Sequence, residues 1–210
     1  MNTNEIFSIM YHFIFILSLI PLILGCTKEN INTPADGPTK NNKADYALHF
    51  CKNNNMNEDF CILLDMSIHS GKKRLFVYDF KENKVLSSYL VSHGCCDNIW
   101  SSDQSKTNPS FSNVPDSHCS SLGKFKIGER GYSSFGVNTK YLLHGLESTN
   151  SNALERDIVF HSWSMVNDEE TFPQGTPEGW GCPAVSNNSF LEIDELLKNV
   201  DKPTLMWIYD

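Results

Sequence analysis

Apolar positions gather in short runs beyond residue 60. Cys61–Ser67, Arg74–Phe80 and Lys84–Ser92 are rich in Val, Ile, Leu, Phe and Tyr and are bounded by polar or turn-forming residues, so each is predicted to be a strand. Lys81-Glu82-Asn83, between the second and third runs, suggests a hairpin. Lys124–Ile127, Val137–Leu143 and Ile158–Trp163 read as further strands, and Pro203–Tyr209 as a last one. Two stretches have a different period. Ala44 to Asn53 is predicted to be a short helix ended by the Asn-rich residues after it. Phe190–Lys198 carries apolar side chains at 190, 193, 196 and 197, one face of a helix. Residues 94–122 are mostly Ser, Asn, Asp and Cys without periodicity, and a loop that long inside a compact domain is usually functional. The pattern predicts a mainly β domain, a barrel or sandwich with one or two short helices.

The N-terminal region follows another logic. From Phe13 to Leu24 the chain is apolar apart from Ser18 and Pro21. That run is too short for a stable membrane-spanning helix and suits the apolar core of a signal peptide. The residues before it contain no Lys or Arg, only Glu5 and His12. It continues into Leu22-Ile23-Leu24-Gly25-Cys26, which resembles a bacterial lipobox, where cleavage precedes a cysteine that is then acylated. Residues 27–43 hold Pro, Gly and Asn with few apolar side chains and cannot offset their ordering entropy by burial. The expected organisation is a lipoprotein signal peptide over 1–25, a flexible tether over 26–43 and one domain over 44–210. The expected location is the cell envelope, with a membrane anchor at Cys26 and the domain on the periplasmic face.

The chain has 210 residues, which suits one domain plus a tail. Seventeen Lys and Arg against 25 Asp and Glu give a net charge of −8, so there is no general attraction for nucleic-acid phosphates. Seven cysteines point towards an oxidising compartment.

Cys182 lies in Gly179-Trp180-Gly181-Cys182-Pro183, at the end of a glycine-rich loop. Gly181 allows close backbone approach, so adjacent amides could face a developing oxyanion. The apolar strand before it ends in His161, and a cysteine nucleophile needs an imidazole to favour thiolate and to protonate the leaving group. From the residues alone, Cys182 could equally be a disulfide partner and His161 a core histidine. His93 and His144 each precede Gly, but no zinc-type spacing is present, so no metal is expected. With Cys26 and Cys182 set aside, Cys51, Cys61, Cys95, Cys96 and Cys119 remain for one or two disulfides, whose pairing the spacing leaves open.

In order along the chain, the segments Leu64-Asp65-Met66-Ser67, Ser70-Gly71-Lys72, Val91-Ser92-His93-Gly94, Phe111-Ser112-Asn113 and Ser120-Ser121-Leu122-Gly123 are followed by His144-Gly145-Leu146-Glu147, Arg156-Asp157-Ile158-Val159-Phe160-His161 and Trp180-Gly181-Cys182-Pro183-Ala184. With these segments the domain resembles the catalytic domain of murein L,D-transpeptidases, in its lipoprotein branch. The resemblance implies that Cys182 is the nucleophile, His161 its acid/base partner, and Gly179, Trp180 and Gly181 the oxyanion loop. It implies acyl transfer on peptidoglycan tetrapeptide stems, to an amine or to water, with no cofactor. Two positions depart from the family. Gly179 stands where Ser or Thr is usual, and Pro183-Ala184 where many members have Arg. Recognition of the substrate carboxylate then falls to another cation, with Arg156 the candidate, and Ser112, Asn113 and His144 are further candidate contacts. The alternative is a non-catalytic peptidoglycan-binding lipoprotein. Cell-wall peptidases that place the cysteine before the histidine fit less well, because here the histidine comes first. Oligomeric state and acyl acceptor are open.

Overall fold

Ten elements make up the fold, α1 (Thr39–Asn53), β1 (Phe60–Asp65), β2 (Leu75–Asp79), β3 (Lys84–Tyr89), β4 (Gly123–Tyr132), β5 (Thr139–Gly145), β6 (Val159–Ser162), β7 (Ala184–Val185), α2 (Asn187–Lys198) and β8 (Leu205–Tyr209). They come from a computed structural model that describes residues 39–210. The expected signal peptide, Cys26 and the tether up to residue 38 lie outside the described residues. Among the described residues no helix is long and apolar enough to cross a membrane.

The eight strands form one sheet in the order β3-β2-β1-β8-β4-β5-β6-β7. Its centre is the parallel pair β1–β8, and β8 runs antiparallel to β4. Both faces of this centre are covered, which explains the unbroken apolar runs in sequence. Ile62 and Leu64 of β1, with Met206 and Ile208 of β8, face a core shared with Phe125, Phe160, Phe190 and Ile193. Cys61, Leu63 and Leu205 point the other way, onto Ala44, Ala47 and Cys51 of α1.

The sheet nearly closes on itself. Beyond β3 the chain runs alongside the segment that leads into β7. Ser92 N–H donates to Ala184 O at 2.8 Å and Gly179 N–H to His93 O at 2.7 Å. The architecture is thus mainly β and barrel-like, with two helices. The 81–83 hairpin forms as predicted, with Asn83 at φ 50° and accepting from Tyr78 Oη at 2.7 Å.

Most boundaries differ from the sequence reading by one to five residues, and three of them have a visible physical cause. α1 begins at Thr39 rather than Ala44, so the end of the expected tether is helical. Once its Ala44, Ala47 and Cys51 face is docked, each further residue adds a hydrogen bond without a new nucleation cost. β4 continues through polar residues to Tyr132, past a register shift between Ile127 and Arg130. Arg130 there forks onto Asp194 of α2 at 2.8 and 3.0 Å, and Tyr141 Oη donates to the same carboxylate at 2.6 Å. α2 starts at Asn187 because Ser186 caps it, its Oγ accepting from Ser189 N–H at 3.1 Å and bonding Asp168. Phe190, Ile193 and Leu197 are the face it buries.

Candidate active site

β6 and β7 pair in parallel, with His161 opposite Ala184. Cys182 lies two residues before Ala184, and alternation returns a side chain to the same face every second residue. The register therefore brings the thiol and the imidazole to one side of the sheet. Val159 N–H, two residues before His161, reaches Cys182 Sγ at 3.4 Å. Both side chains line a cleft of about 510 Å³ whose walls include Trp100, Tyr132, Phe135, Trp163 and Trp180. The Phe135 ring lies 5.3 Å from the His161 ring.

His161 is buried, and its Nδ1 lies 2.9 Å from Ser162 O. A carbonyl only accepts, so Nδ1 carries the proton and Nε2 is left as the base. Burial pushes the His161 pKa down; the Ser162 bond opposes this and the Lys140 charge adds to it. Cys182 is half-buried and donates weakly to Asp157 O at 3.5 Å. Burial pushes the thiol up, against the Val159 N–H and the charges of Arg156 and Lys140. Both shifts favour neutral forms, so the resting pair is a thiol beside an imidazole. Among the described residues no hydrogen bond joins the two, and the thiol is turned towards Asp157. Catalytic hydrogen bonds are often loose before substrate arrives.

The loop before Cys182 is held from behind. Gly181 has φ +101°, and a Cβ there would sit 2.5 Å from Cys119 O, so only glycine fits. Ser120 Oγ donates to Gly181 O at 3.1 Å and accepts from Gly94 N–H at 3.0 Å. Cys119 is bridged to Cys96, and Cys51, Cys61, Cys95 and Cys182 are free thiols. Among the described residues no acceptor takes the N–H of Trp180, Gly181 or Cys182. Gly179 differs from Gly181, since an added Cβ there meets only Trp163, at 3.8 Å.

Glu178, just before this loop, ends a buried polar chain that the sequence did not reveal. Arg74 Nη2 donates to His93 Nδ1 at 2.8 Å, and His93 Nε2 donates to Ser105 Oγ at 2.9 Å. Ser105 then donates to Glu178 Oε1 from its hydroxyl at 2.9 Å and from its backbone N–H at 2.6 Å. Arg74, His93 and Glu178 are fully buried. Only the positions of His93 and Glu178 beside Gly94 and Gly179 hint at this in sequence, and nothing there shows that the four residues meet.

The remaining candidates are used otherwise. Arg156 borders the cleft, but its guanidinium donates to Ser112 O, Ser121 Oγ, Ser117 Oγ and Cys119 O at 2.5–3.3 Å. It fastens the 112–121 loop, with Ser112 as one anchor. Asn113 is stitched to Ser148, Ser151 and Asn152. His144 pairs with Glu129 at 2.9 Å. Neither Asn113 nor His144 lines the cleft. Trp180 is exposed and stacks on His118. Lys140, which the sequence reading passed over, does line the cleft. Among the described residues no group of three or more His, Cys, Asp or Glu is placed to hold a metal ion.

Comparison with known proteins adds a family. A model of the L,D-transpeptidase catalytic domain matches residues 38–209. No curated protein matches. Among solved structures, the chain is similar to Bd1075 of Bdellovibrio bacteriovorus, at 15% identity and TM-score 0.43 over 75% of this chain and 49% of that one. It is similar to the L,D-transpeptidase (residues 123–326) of Xylanimonas cellulosilytica, at 12% identity and TM-score 0.38, covering 71% and 60%. It is also similar to the helical cell shape determining protein Pgp2 of Campylobacter jejuni, at 12% identity and TM-score 0.43, covering 80% and 55%. The chain spans about half the length of the first of these.

Proposed function

The chain belongs to the L,D-transpeptidase catalytic domain family, and from that premise we propose that it is a cysteine acyltransferase of peptidoglycan stem peptides. Cys182 Sγ attacks the carbonyl between the L-centre and the terminal D-residue of a tetrapeptide stem. His161 Nε2 takes the thiol proton as the S–C bond forms, and the Trp180–Cys182 amides hold the oxyanion. His161 then gives the proton to the departing nitrogen, the C–N bond breaks, and a thioester remains. A second amine resolves it into a cross-link, or water resolves it and trims the stem. The route needs no metal or organic cofactor.

The observation that carries this reading is the β6–β7 register, which sets His161 and Cys182 on one face of one cleft. The reading includes a cell-envelope location, with the domain tethered through acylated Cys26. A second reading is a binding lipoprotein without turnover; it is favoured by the thiol's bond to Asp157 O and its raised pKa. Incubating the full chain with isolated muropeptides in one reaction and with a carbapenem in another, with mass spectrometry of both protein and products, separates them. The enzyme forms a carbapenem adduct on Cys182 and shortens or joins stems, and Cys182→Ala does neither. Stems bound but unchanged, with no adduct, would leave the second reading.

A further inference from the structure

Crossing the sheet from β7 through β6 to β5, the row that carries the imidazole starts at Ala184, two residues beyond the thiol, and reaches a third chemical group. Lys140 of β5 stands directly opposite His161, and directly opposed residues project to the same face, about 5 Å apart. The next position on this row, in β4, is Gly131, where an added Cβ would meet nothing within 4 Å. The lysine is therefore uncovered on its far side. It is half-buried and lines the cleft.

Among the described residues the cleft has two cations, Lys140 and Arg156. Arg156 is committed to four hydrogen bonds with the 112–121 loop. The Lys140 ammonium forms no hydrogen bond or ion pair among the described residues. The ammonium thus lies on one side of the imidazole, one strand away, and the thiol on the other, two residues before the row on the segment that leads into β7. The substrate presents groups in the same order: a scissile carbonyl, its amide nitrogen and, one residue further, a carboxylate. One residue of chain advances roughly 3.8 Å, comparable to the spacing between neighbouring strands.

We propose that Lys140 holds the terminal carboxylate of the stem and thereby restricts the site to stems that end in a free acid. The proposal rests on the acyl-transfer reading of the cleft for its substrate, but its test does not require turnover. The probes are a tetrapeptide stem with a free terminal carboxylate and the same stem as the terminal amide. Binding is measured by calorimetry on the full chain carrying Cys182→Ser, alone and combined with Lys140→Met or Lys140→Arg. Comparing acid with amide within one variant cancels any general effect of Lys140 on the cleft.

Loss of a charge-assisted hydrogen bond predicts that Lys140→Met weakens the acid roughly 10- to 100-fold, to the level of the amide, while the amide changes less than about twofold. Lys140→Arg should keep most of the preference for the acid. Equal binding of acid and amide with Lys140 intact, a preference that survives Lys140→Met, or no binding of either peptide would each overturn the proposal. Turnover is read separately on chains with Cys182 intact, with Lys140 or with Lys140→Met. Discrimination without turnover keeps Lys140 and removes the enzyme, and turnover that is indifferent to Lys140 does the reverse.

Discussion

Acid should unfasten the loop that precedes Cys182 by way of His93, whose hydrogen bonds run through Ser105 to Glu178 at the start of that loop. A guanidinium has no acceptor, so Arg74 must donate to His93 Nδ1, and the ring proton sits on Nε2, facing Ser105. Protonating Nδ1 would set two donors against each other in a site without water access. Burial, and then the Arg74 charge, push the His93 pKa down from 6.5 to about 3. In the unfolded chain His93 titrates near its ordinary value of about 6.5. Between those two values the unfolded state binds one more proton than the native state, so stability falls as pH falls. One proton corresponds to about 1.4 kcal/mol per pH unit, so two units of acidification below pH 6.5 remove roughly 2.5 kcal/mol. That is a sizeable share of the ~5–15 kcal/mol typical of a domain. Urea unfolding of the full chain and of His93→Gln, from about pH 7.5 to about pH 4.5, tests it. The variant should be less stable at neutral pH because a buried bond is lost. Its stability should fall less steeply with acid, by about one proton's slope, so the two curves converge. Carboxylates that titrate in both proteins cancel in the difference. Parallel curves would refute the reasoning and show that another group sets the acid limit.

Three further expectations concern the site and the N-terminus. His161→Ala should lower carbapenem acylation and stem turnover by roughly 10²–10⁴, while iodoacetamide labelling of Cys182 stays an alkaline reaction in both proteins, since burial raises the thiol; near-neutral labelling lost in the variant would instead reveal a thiolate–imidazolium pair. Gly181→Ala puts a side chain at φ +101° against Cys119 O and should cost at least about 1–2 kcal/mol in unfolding free energy, whereas Gly179→Ser has room and should leave the denaturation midpoint unchanged. Cys26→Ser should move the protein out of the membrane fraction of cells, and unchanged membrane recovery on immunoblots would remove the lipid anchor from the reading.

Strands were legible where their residues are buried on both faces. Ile62, Leu63 and Leu64 of β1 face two different cores, so no polar position interrupts the run. β7 was invisible because Ala184-Val185 is too short to carry a pattern and becomes a strand only through pairing with β6. β4 was read short because Gly128 to Tyr132 lack an apolar pattern, and pairing with β5 holds them in the sheet. In the site, a strand-end histidine and a Gly-Cys pair could be noticed from types and order alone. Lys140 could not, since its place beside His161 is a property of register. Arg156 drew attention by its charge, while the loop oxygens that surround it come from positions 112 to 121, brought near only by folding.

The sheet order carries a consequence for how the molecule is made. β8 is the middle strand, with β3-β2-β1 on one side and β4-β5-β6-β7 on the other, yet it is synthesised after all the others. Until Leu205–Tyr209 arrives, β1 and β4 each present an open edge lined with apolar residues, the kind of surface that promotes pairing between chains. The half that carries His161 and Cys182 is already complete in sequence, but it has no partner to lean on. A chain cut short before residue 205 would therefore hold every residue that lines the cleft and still expose two apolar edges, so truncation at the C-terminus should produce aggregation rather than a smaller folded domain.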